Sequence, residues 1–194
     1  MTNEELFQAR TNPDFLKYLE EARINSIKAQ DIALMYETLD SMLVLDLDED
    51  NINSLYEEIL KLAFLSVENI VDKNEKLKLE DDSLLYVRAL YEHAIEKWTN
   101  ENIEGAKELV FVISNIIDDE VLQKSLNVLI VFLSKNTNFD DFYDENIDFD
   151  AEDDEKYGYF ITNFNFKQDE FLKKNSDILK FEYEKLQHLI MERK

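Results

Sequence analysis

Cysteine is absent from this chain, and proline and glycine are nearly absent, with one and two residues respectively. The absence of cysteine excludes disulfide scaffolds, thiol nucleophiles and cysteine-ligated zinc. Two glycines are too few for the glycine-rich loops that cradle nucleotide phosphates, and they disfavour an all-β fold with its many tight turns. Hydrophobic residues still make up 45% of the 194 residues, which is enough for a packed core. The composition therefore predicts an all-α fold.

Basic residues are also scarce, with 21 Lys and Arg against 44 Asp and Glu and a formal net charge of −23. Because Lys and Arg supply most of the affinity for phosphate, we expect no direct binding to nucleic acid or to an anionic membrane. The most apolar run, residues 128–133, is far shorter than the roughly 20 residues that span a bilayer. The N-terminus has neither the basic start nor the apolar stretch of a secretory signal, so we expect a cytoplasmic protein.

Apolar residues recur with the 3.6-residue period of amphipathic helices over most of the chain. Asn12 is the expected N-cap of the first helix, because Pro13 follows it and suits a first turn. Ser83 is the expected cap of the fourth helix. Helices are predicted over residues 13–29, 32–45, 52–73, 84–99, 103–117, 121–134 and 168–191. The sixth is apolar nearly all round its second half and is expected to be central.

Short turns between these segments predict antiparallel helix pairs stacked in sequence, as a short solenoid or an irregular bundle. We predict a helical body over residues 1–135, an acidic and aromatic connector over 136–166, and a C-terminal helix over 167–194 packed on the same domain. In the connector, the aromatic residues from 157 onward are expected to dock on the body around Leu129 and Phe132. The acidic run before them is expected to stay mobile.

Two stretches resemble the helix–turn–helix units of tetratricopeptide repeats. They are Ala29-Gln30-Asp31-Ile32-Ala33 with Leu43-Val44-Leu45-Asp46-Leu47-Asp48, and Tyr91-Glu92-His93-Ala94 and Trp98 with Asn102-Ile103-Glu104-Gly105-Ala106 and Ile116-Ile117-Asp118. The resemblance covers about residues 13–135 and implies that Ala33 and Ala106 lie where paired helices touch. It departs from the family in its spacing, which is not a multiple of the roughly 34-residue period, and in the missing proline after each unit. Size, charge and architecture also resemble secretion or flagellar export chaperones.

Candidate catalytic and metal-ligating residues are few. His93 and His188 are the only histidines, and neither belongs to the Glu-x-x-His motif of a di-iron bundle. Carboxylates at EF-hand spacing occur over residues 46–57 and 144–155, but both stretches lack the glycine that the loop requires. The first is better explained as a helix-end turn, and the second is at most a loose cation site. We therefore predict no catalytic residues, no metal site, no cofactor and no enzymatic activity.

Residues 136–157 hold ten acidic residues and one basic residue, interleaved with aromatic side chains. Three roles are open for this segment: a solvated loop that maintains solubility, a charged surface that steers a basic partner, or an imitation of a phosphate backbone. Exposed aromatic rings have no use in a plain linker, so we predict a contact role. The predicted partner-binding residues are Phe142, Tyr143, Phe149, Tyr159, Phe160 and Phe164.

The leading functional hypothesis is a non-enzymatic protein–protein interaction module, an adaptor or chaperone-like protein that binds a peptide or helix of a partner protein. The alternative is an acidic nucleic-acid mimic that inhibits a DNA- or RNA-binding protein. Mimicry requires carboxylates on one continuous face, whereas here they alternate with Lys on several helices, which favours the first hypothesis. Association into a homodimer stays open.

Overall fold

A computed structural model describes residues 2–73, 75–152 and 154–191. Within these ranges the regular structure is helical, and β-pairing is limited to two isolated bridges, Leu77 with Ile117 and Ile147 with Phe164. The all-α prediction is confirmed. The chain forms two compact units, Met1–Ser66 and Val67–Lys194, and the boundary between them falls inside a helix.

The N-terminal unit contains α1 (Asn3–Thr11), α2 (Pro13–Ala29), α3 (Ile32–Val44) and most of α4 (Glu49–Val71). Asn12 caps α2 as predicted, because its side-chain oxygen accepts hydrogen bonds from the backbone N–H groups of Asp14 and Phe15. The following turn places Gln30 in the left-handed region at φ 54° and uses Asp31 as the N-cap of α3. Because this turn is so short, α2 and α3 pack as an antiparallel pair. The helix α1 was not predicted.

The buried face of α3 includes Tyr36 and Leu39 and differs only in part from the expected one. Met35 and Met42 are also buried, whereas Leu43 and Ala33, which was expected to lie between paired helices, are exposed. The expectation that Ala33 lies between paired helices is therefore wrong, while Ala106 is fully buried as expected. A helix that carries apolar residues on more than one face can bury any of these faces, and packing against its neighbours decides which face is buried.

The C-terminal unit holds the end of α4 and the helices that follow it. These are α5 (Asp81–Thr99), α6 (Ile103–Ile116), α7 (Glu120–Ser134), α8 (Phe139–Asn146), α9 (Gln168–Lys174), α10 (Ser176–Leu186) and α11 (His188–Met191). Helix α6 packs against both α5 and α7, so adjacent helices are stacked, as a helical-repeat arrangement requires. Helix α7 is central as predicted, since Leu129 and Leu133 are fully buried and both α9 and α10 pack against it.

The segment before α5 contributes to the core of the C-terminal unit. Leu77 and Leu79 are buried, and the backbone of Leu77 pairs with the segment around Ile117 at the end of α6. Helix α5 begins at Asp81, two residues before the expected cap Ser83. The residues around Leu77 and Leu79 therefore pack into the C-terminal unit rather than only linking α4 to α5.

Two predictions for the C-terminal third need correction. The connector expected to be irregular contains α8, which Asn138 caps by accepting a hydrogen bond from the backbone N–H of Asp140. The single final helix is instead three helices, with breaks at Asn175 and Gln187. Asn175 is buried at its break and accepts a hydrogen bond from Lys135 Nζ at 2.9 Å, a contact that a continuous helix pattern does not reveal.

Candidate protein-interaction site

The candidate site is built on a loop, residues 148–163, whose two ends are held together. Ile147 and Phe164 form an antiparallel bridge at its base. Next to this bridge the backbone N–H of Asp148 donates a hydrogen bond to the carbonyl of Asn163 at 3.2 Å. Compact loops with closely spaced ends often carry function, because a fixed base positions the residues of the loop. We call this segment the 148–163 loop.

Three of the six predicted partner-binding residues lie inward. Phe142 is fully buried, and Phe160 and Phe164 are nearly so. Phe142 stacks on Trp98 with ring centroids 4.8 Å apart, and the Trp98 indole N–H donates to the carbonyl of Thr137 at 2.9 Å. We therefore assign Phe142, Phe160 and Phe164 to the core that supports the loop, rather than to a binding surface.

The aromatic residues that follow the acidic run dock on the helical body, as predicted, but at two places. Phe166 lies in the expected area, with its ring centroid 6.3 Å from that of Phe132. Phe160 instead meets Tyr91 of α5, edge to face at 5.2 Å, and the Tyr91 hydroxyl accepts a hydrogen bond from the backbone N–H of Ile161. Burial raises the pKa of Tyr91, so its hydroxyl stays neutral in this contact.

Asp119, the N-cap of α7, fixes the loop at a second point. Its carboxylate accepts a hydrogen bond from the backbone N–H of Leu122 at 2.9 Å, and it lies 2.6 Å from Lys156 Nζ and 3.1 Å from the Tyr157 hydroxyl. Burial opposes ionisation of Asp119, but these donors outweigh it and hold the pKa of the carboxyl below its usual range. The hydrogen bond to Asp119 in turn raises the pKa of Lys156.

We call the contacts of Asp119 with Lys156 and Tyr157 the Asp119 clamp. This clamp predicts a contribution to stability that is lost in acid. A depressed carboxyl pKa stabilises the fold above the unfolded pKa, about 3.9 for Asp, and this contribution is lost as the pH falls through the folded pKa. We expect Asp119→Asn to lower the free energy of unfolding at neutral pH by about 1 kcal/mol, since Asn can still cap the helix but cannot pair with Lys156. Urea unfolding at a series of pH values checks this. The difference between wild type and variant should shrink as the pH falls through the lowered pKa of folded Asp119, and a difference that stays constant with pH would contradict it.

The other three predicted residues surround one cleft. Tyr143 of α8 and Phe149 and Tyr159 of the 148–163 loop are 38%, 63% and 43% exposed. All three line a cleft of about 370 Å³, near the lower end of the usual volumes of ligand pockets, so it suits one or two side chains. The rings of Tyr143 and Phe149 meet edge to face, with centroids 5.3 Å apart. The structure therefore brings together three exposed aromatic residues that are up to 16 positions apart in sequence.

Arg88 of α5 is a residue of the site that the sequence did not reveal. Its guanidinium carbon lies 4.2 Å from the centroid of the Tyr159 ring, within the roughly 6 Å range of cation–π attraction. Arg88 also pairs with Glu92 at 2.7 Å and is itself buried. One arginine on an amphipathic helix has no distinguishing sequence signal, and its role depends on a loop some 70 residues away.

The cleft lies in a strongly negative part of the chain. Asp148 lines the cleft, and further carboxylates follow in the same loop. Lys156, the one basic residue of segment 136–157, is engaged by Asp119. The excess of carboxylates over basic residues gives this loop a net negative field, which attracts cations toward the aromatic rings.

Comparison of the chain with protein-family models, curated proteins and solved structures found no match. The geometry of the cleft itself is therefore the basis for assigning a function.

Other candidate sites have local explanations. The EF-hand-like stretch from residue 46 lies on the turn before α4, where Asp48 accepts a hydrogen bond from the backbone N–H of Asn51, as a helix cap does. His93 pairs with Glu96, and His188 contacts the carbonyl of Lys185. Among the residues that the structure describes, no three His, Asp or Glu side chains are grouped to hold a metal ion. In the same part of the chain, no helix has the length and apolar character needed to cross a membrane.

Proposed function

We propose that this protein is a non-enzymatic interaction module that binds a Lys- or Arg-bearing segment of a partner protein at the cleft of the 148–163 loop. The observation that carries the proposal is the meeting of Tyr143, Phe149 and Tyr159 at one cleft that Asp148 also lines, in a loop rich in carboxylates. Core aromatic residues, a backbone bridge and the Asp119 clamp hold this cleft in place. A cleft positioned in this way binds without paying to order itself first.

Cation recognition follows from the two kinds of group at the cleft. Carboxylates draw a cation in over several ångströms, and aromatic faces then hold it at short range. Arg88 over Tyr159 is an example within this protein of the same contact. An anionic ligand would be repelled by the loop, and a purely apolar ligand would make no use of its negative charge. A basic side chain suits both the carboxylates and the aromatic faces of the cleft.

The rest of the chain fits the role of a scaffold. Stacked helix pairs present loops and grooves without chemistry of their own, and a tetratricopeptide-like arrangement of these pairs is the reading that we favour. An adaptor or chaperone-like protein of this kind needs a partner surface rather than a nucleophile and a base. The formal charge of −23 supports fast association with a basic partner.

A peptide of about 12 residues in which Lys and Arg alternate with Ser is the probe for this proposal, with binding followed by fluorescence anisotropy. We expect Phe149→Ala and Tyr159→Ala to weaken binding by about two- to thirty-fold, because a cation–π contact contributes about 0.5–2 kcal/mol. Phe181→Ala is the matched control, since Phe181 is also 63% exposed but lies on α10. Equal affinity of the Phe149→Ala and Phe181→Ala variants would contradict the proposal.

Two double variants distinguish binding at the cleft from attraction to the overall negative charge. Asp148→Asn with Asp150→Asn removes two loop charges, and Asp48→Asn with Asp50→Asn removes two exposed charges of the same spacing from the N-terminal unit. In both pairs the first aspartate accepts a backbone hydrogen bond, which asparagine can keep. We expect only the loop pair to weaken binding by more than about threefold. Equal losses would mean that the peptide senses net charge alone.

A further inference from the structure

The aromatic rings at the cleft of the 148–163 loop are arranged as walls rather than as a flat surface. The rings of Tyr143 and Phe149 meet with their planes at 66° to each other, so together they form a corner. Tyr143 is held in place on α8, where its ring also stacks on that of Phe139 with centroids 5.7 Å apart. A corner of two fixed rings can contact one compact group on two sides at once.

Tyr159, the third ring at the cleft, is held by two neighbours. The guanidinium carbon of Arg88 lies 4.2 Å from its centroid, and the ring of Phe160 lies nearly perpendicular to it at 6.5 Å. Glu92 offsets the charge of Arg88 at a distance of 2.7 Å, so Arg88 does little to oppose a second cation nearby. The cation that this chain itself places against Tyr159 is thus a guanidinium, which is more weakly hydrated than an ammonium. Aromatic faces bind cations most strongly when the cation gives up its water.

Several oxygen acceptors around the cleft are already used within the chain. Asp148 Oδ1 accepts a hydrogen bond from the backbone N–H of Asp150 at 3.1 Å, and the Asn163 carbonyl accepts one from the N–H of Asp148. The Thr162 carbonyl accepts one from the side-chain amide of Gln168 at 2.8 Å. An unmodified lysine brings three N–H donors that each need an acceptor or a water molecule. The cleft therefore suits a cation that has no N–H donors.

We infer that the cleft binds the quaternary ammonium group of a trimethyllysine in the partner segment. This group has a permanent positive charge and no N–H donor, and its methyl groups pack against aromatic faces. Asp148 attracts the charge from the edge of the cleft without a hydrogen bond. The cleft volume of about 370 Å³ accommodates one such side chain. This inference rests on the proposed function and narrows its ligand from any basic residue to a methylated one.

The probe is a peptide of about 12 residues with a single central lysine among serines, prepared in three forms and titrated into the full chain. The first form is unmodified and the second is trimethylated, which keeps the positive charge, so attraction to the net charge of −23 is the same for both. In the third, a tert-butyl group replaces the trimethylammonium, which keeps its shape and removes its charge. We expect the trimethylated form to bind about five- to tenfold more tightly than either of the others.

A substitution that keeps an apolar side chain separates the aromatic faces from simple apolar contact. Phe149→Leu should remove most of the preference for the trimethylated peptide over the unmodified one, because leucine offers no aromatic face. Phe181→Leu is the matched control on an equally exposed phenylalanine and should leave the preference unchanged. Free choline carries the same quaternary group without flanking residues and should bind about tenfold more weakly than the trimethylated peptide.

Three results would overturn the inference. Equal binding of the trimethylated and unmodified peptides would show no preference for methylation, and equal binding of the trimethylated and tert-butyl peptides would show that charge plays no part. Choline binding as tightly as the trimethylated peptide would assign the cleft to a small molecule instead. The first two results leave the proposed function standing, because that function is tested by the loss of the Lys- and Arg-containing peptide in Phe149→Ala.

Discussion

Phe142→Ala is expected to lower the free energy of unfolding by about 3–5 kcal/mol, the usual cost of removing a fully buried phenylalanine. The Phe142 ring is completely buried, with its centroid 4.8 Å from Trp98 and 4.9 Å from Phe132. It is also one of the contacts through which α8 and the base of the 148–163 loop reach the helical body. Urea denaturation followed by circular dichroism measures this loss directly.

Phe149→Ala is the matched control for this substitution. It removes the same side chain seven residues away, but from a position that is 63% exposed. We expect its effect on stability to stay within about 0.5 kcal/mol, as is usual for surface substitutions. The two variants should therefore separate stability from binding, because Phe149→Ala weakens peptide affinity and Phe142→Ala weakens the fold. Similar stabilities would show that Phe142 is not packed as described.

Lys107→Ala is expected to cost about 3–5 kcal/mol, because it leaves a buried carboxylate without its cation. Lys107 of α6 and Glu182 of α10 are each 5% exposed, and Lys107 Nζ lies 3.2 Å from Glu182 Oε2 and 2.9 Å from Glu104 Oε2. The contact with Glu182 has the distance of an ion pair but not the alignment of a hydrogen bond, so charge alone stabilises that oxygen. The pair joins α10 to α6.

The double variant Lys107→Met with Glu182→Met tests the origin of this cost. Replacing both charges by apolar side chains of similar length leaves nothing unpaired, so its stability should return to within about 1–2 kcal/mol of wild type. Lys61→Met is the surface control, since its ion pair with Glu58 is exposed and should contribute little to stability. If Lys107→Ala and Lys61→Met have the same effect, the pair is not buried as described.

Helix boundaries were largely predictable from local chemistry. Asn12 and Asp119 cap the helices that begin next to them, so a polar side chain before an apolar period marks these two starts, whereas Ser83 does not mark the start of α5. The orientation of α3 was not predictable in the same way. Its sequence is apolar on several faces, and only packing against its neighbours decides that Met42 is buried and Leu43 exposed. Tertiary context therefore overrides periodicity where the polar face is weak.

The candidate site, too, could be predicted from the sequence only in part. The sequence identified the aromatic residues of the acidic segment, but Phe142 and Tyr143 are neighbours and one is buried while the other lines the cleft. Helix α8 was missed because its carboxylates obscure the apolar spacing of Phe139 and Phe142. Arg88 was missed because its contact with Tyr159 joins residues 71 positions apart. Long-range pairings of this kind leave no local pattern.

Solution NMR of the uniformly labelled full chain, titrated with the Lys- and Arg-containing peptide, locates binding residue by residue. The proposal predicts that the amide signals of Tyr143, Phe149, Tyr159 and the rest of the 148–163 loop shift first and saturate together, and that Phe149→Ala reduces these shifts. Unchanged signals in this loop, with shifts instead at exposed carboxylate turns such as residues 46–50, would contradict it.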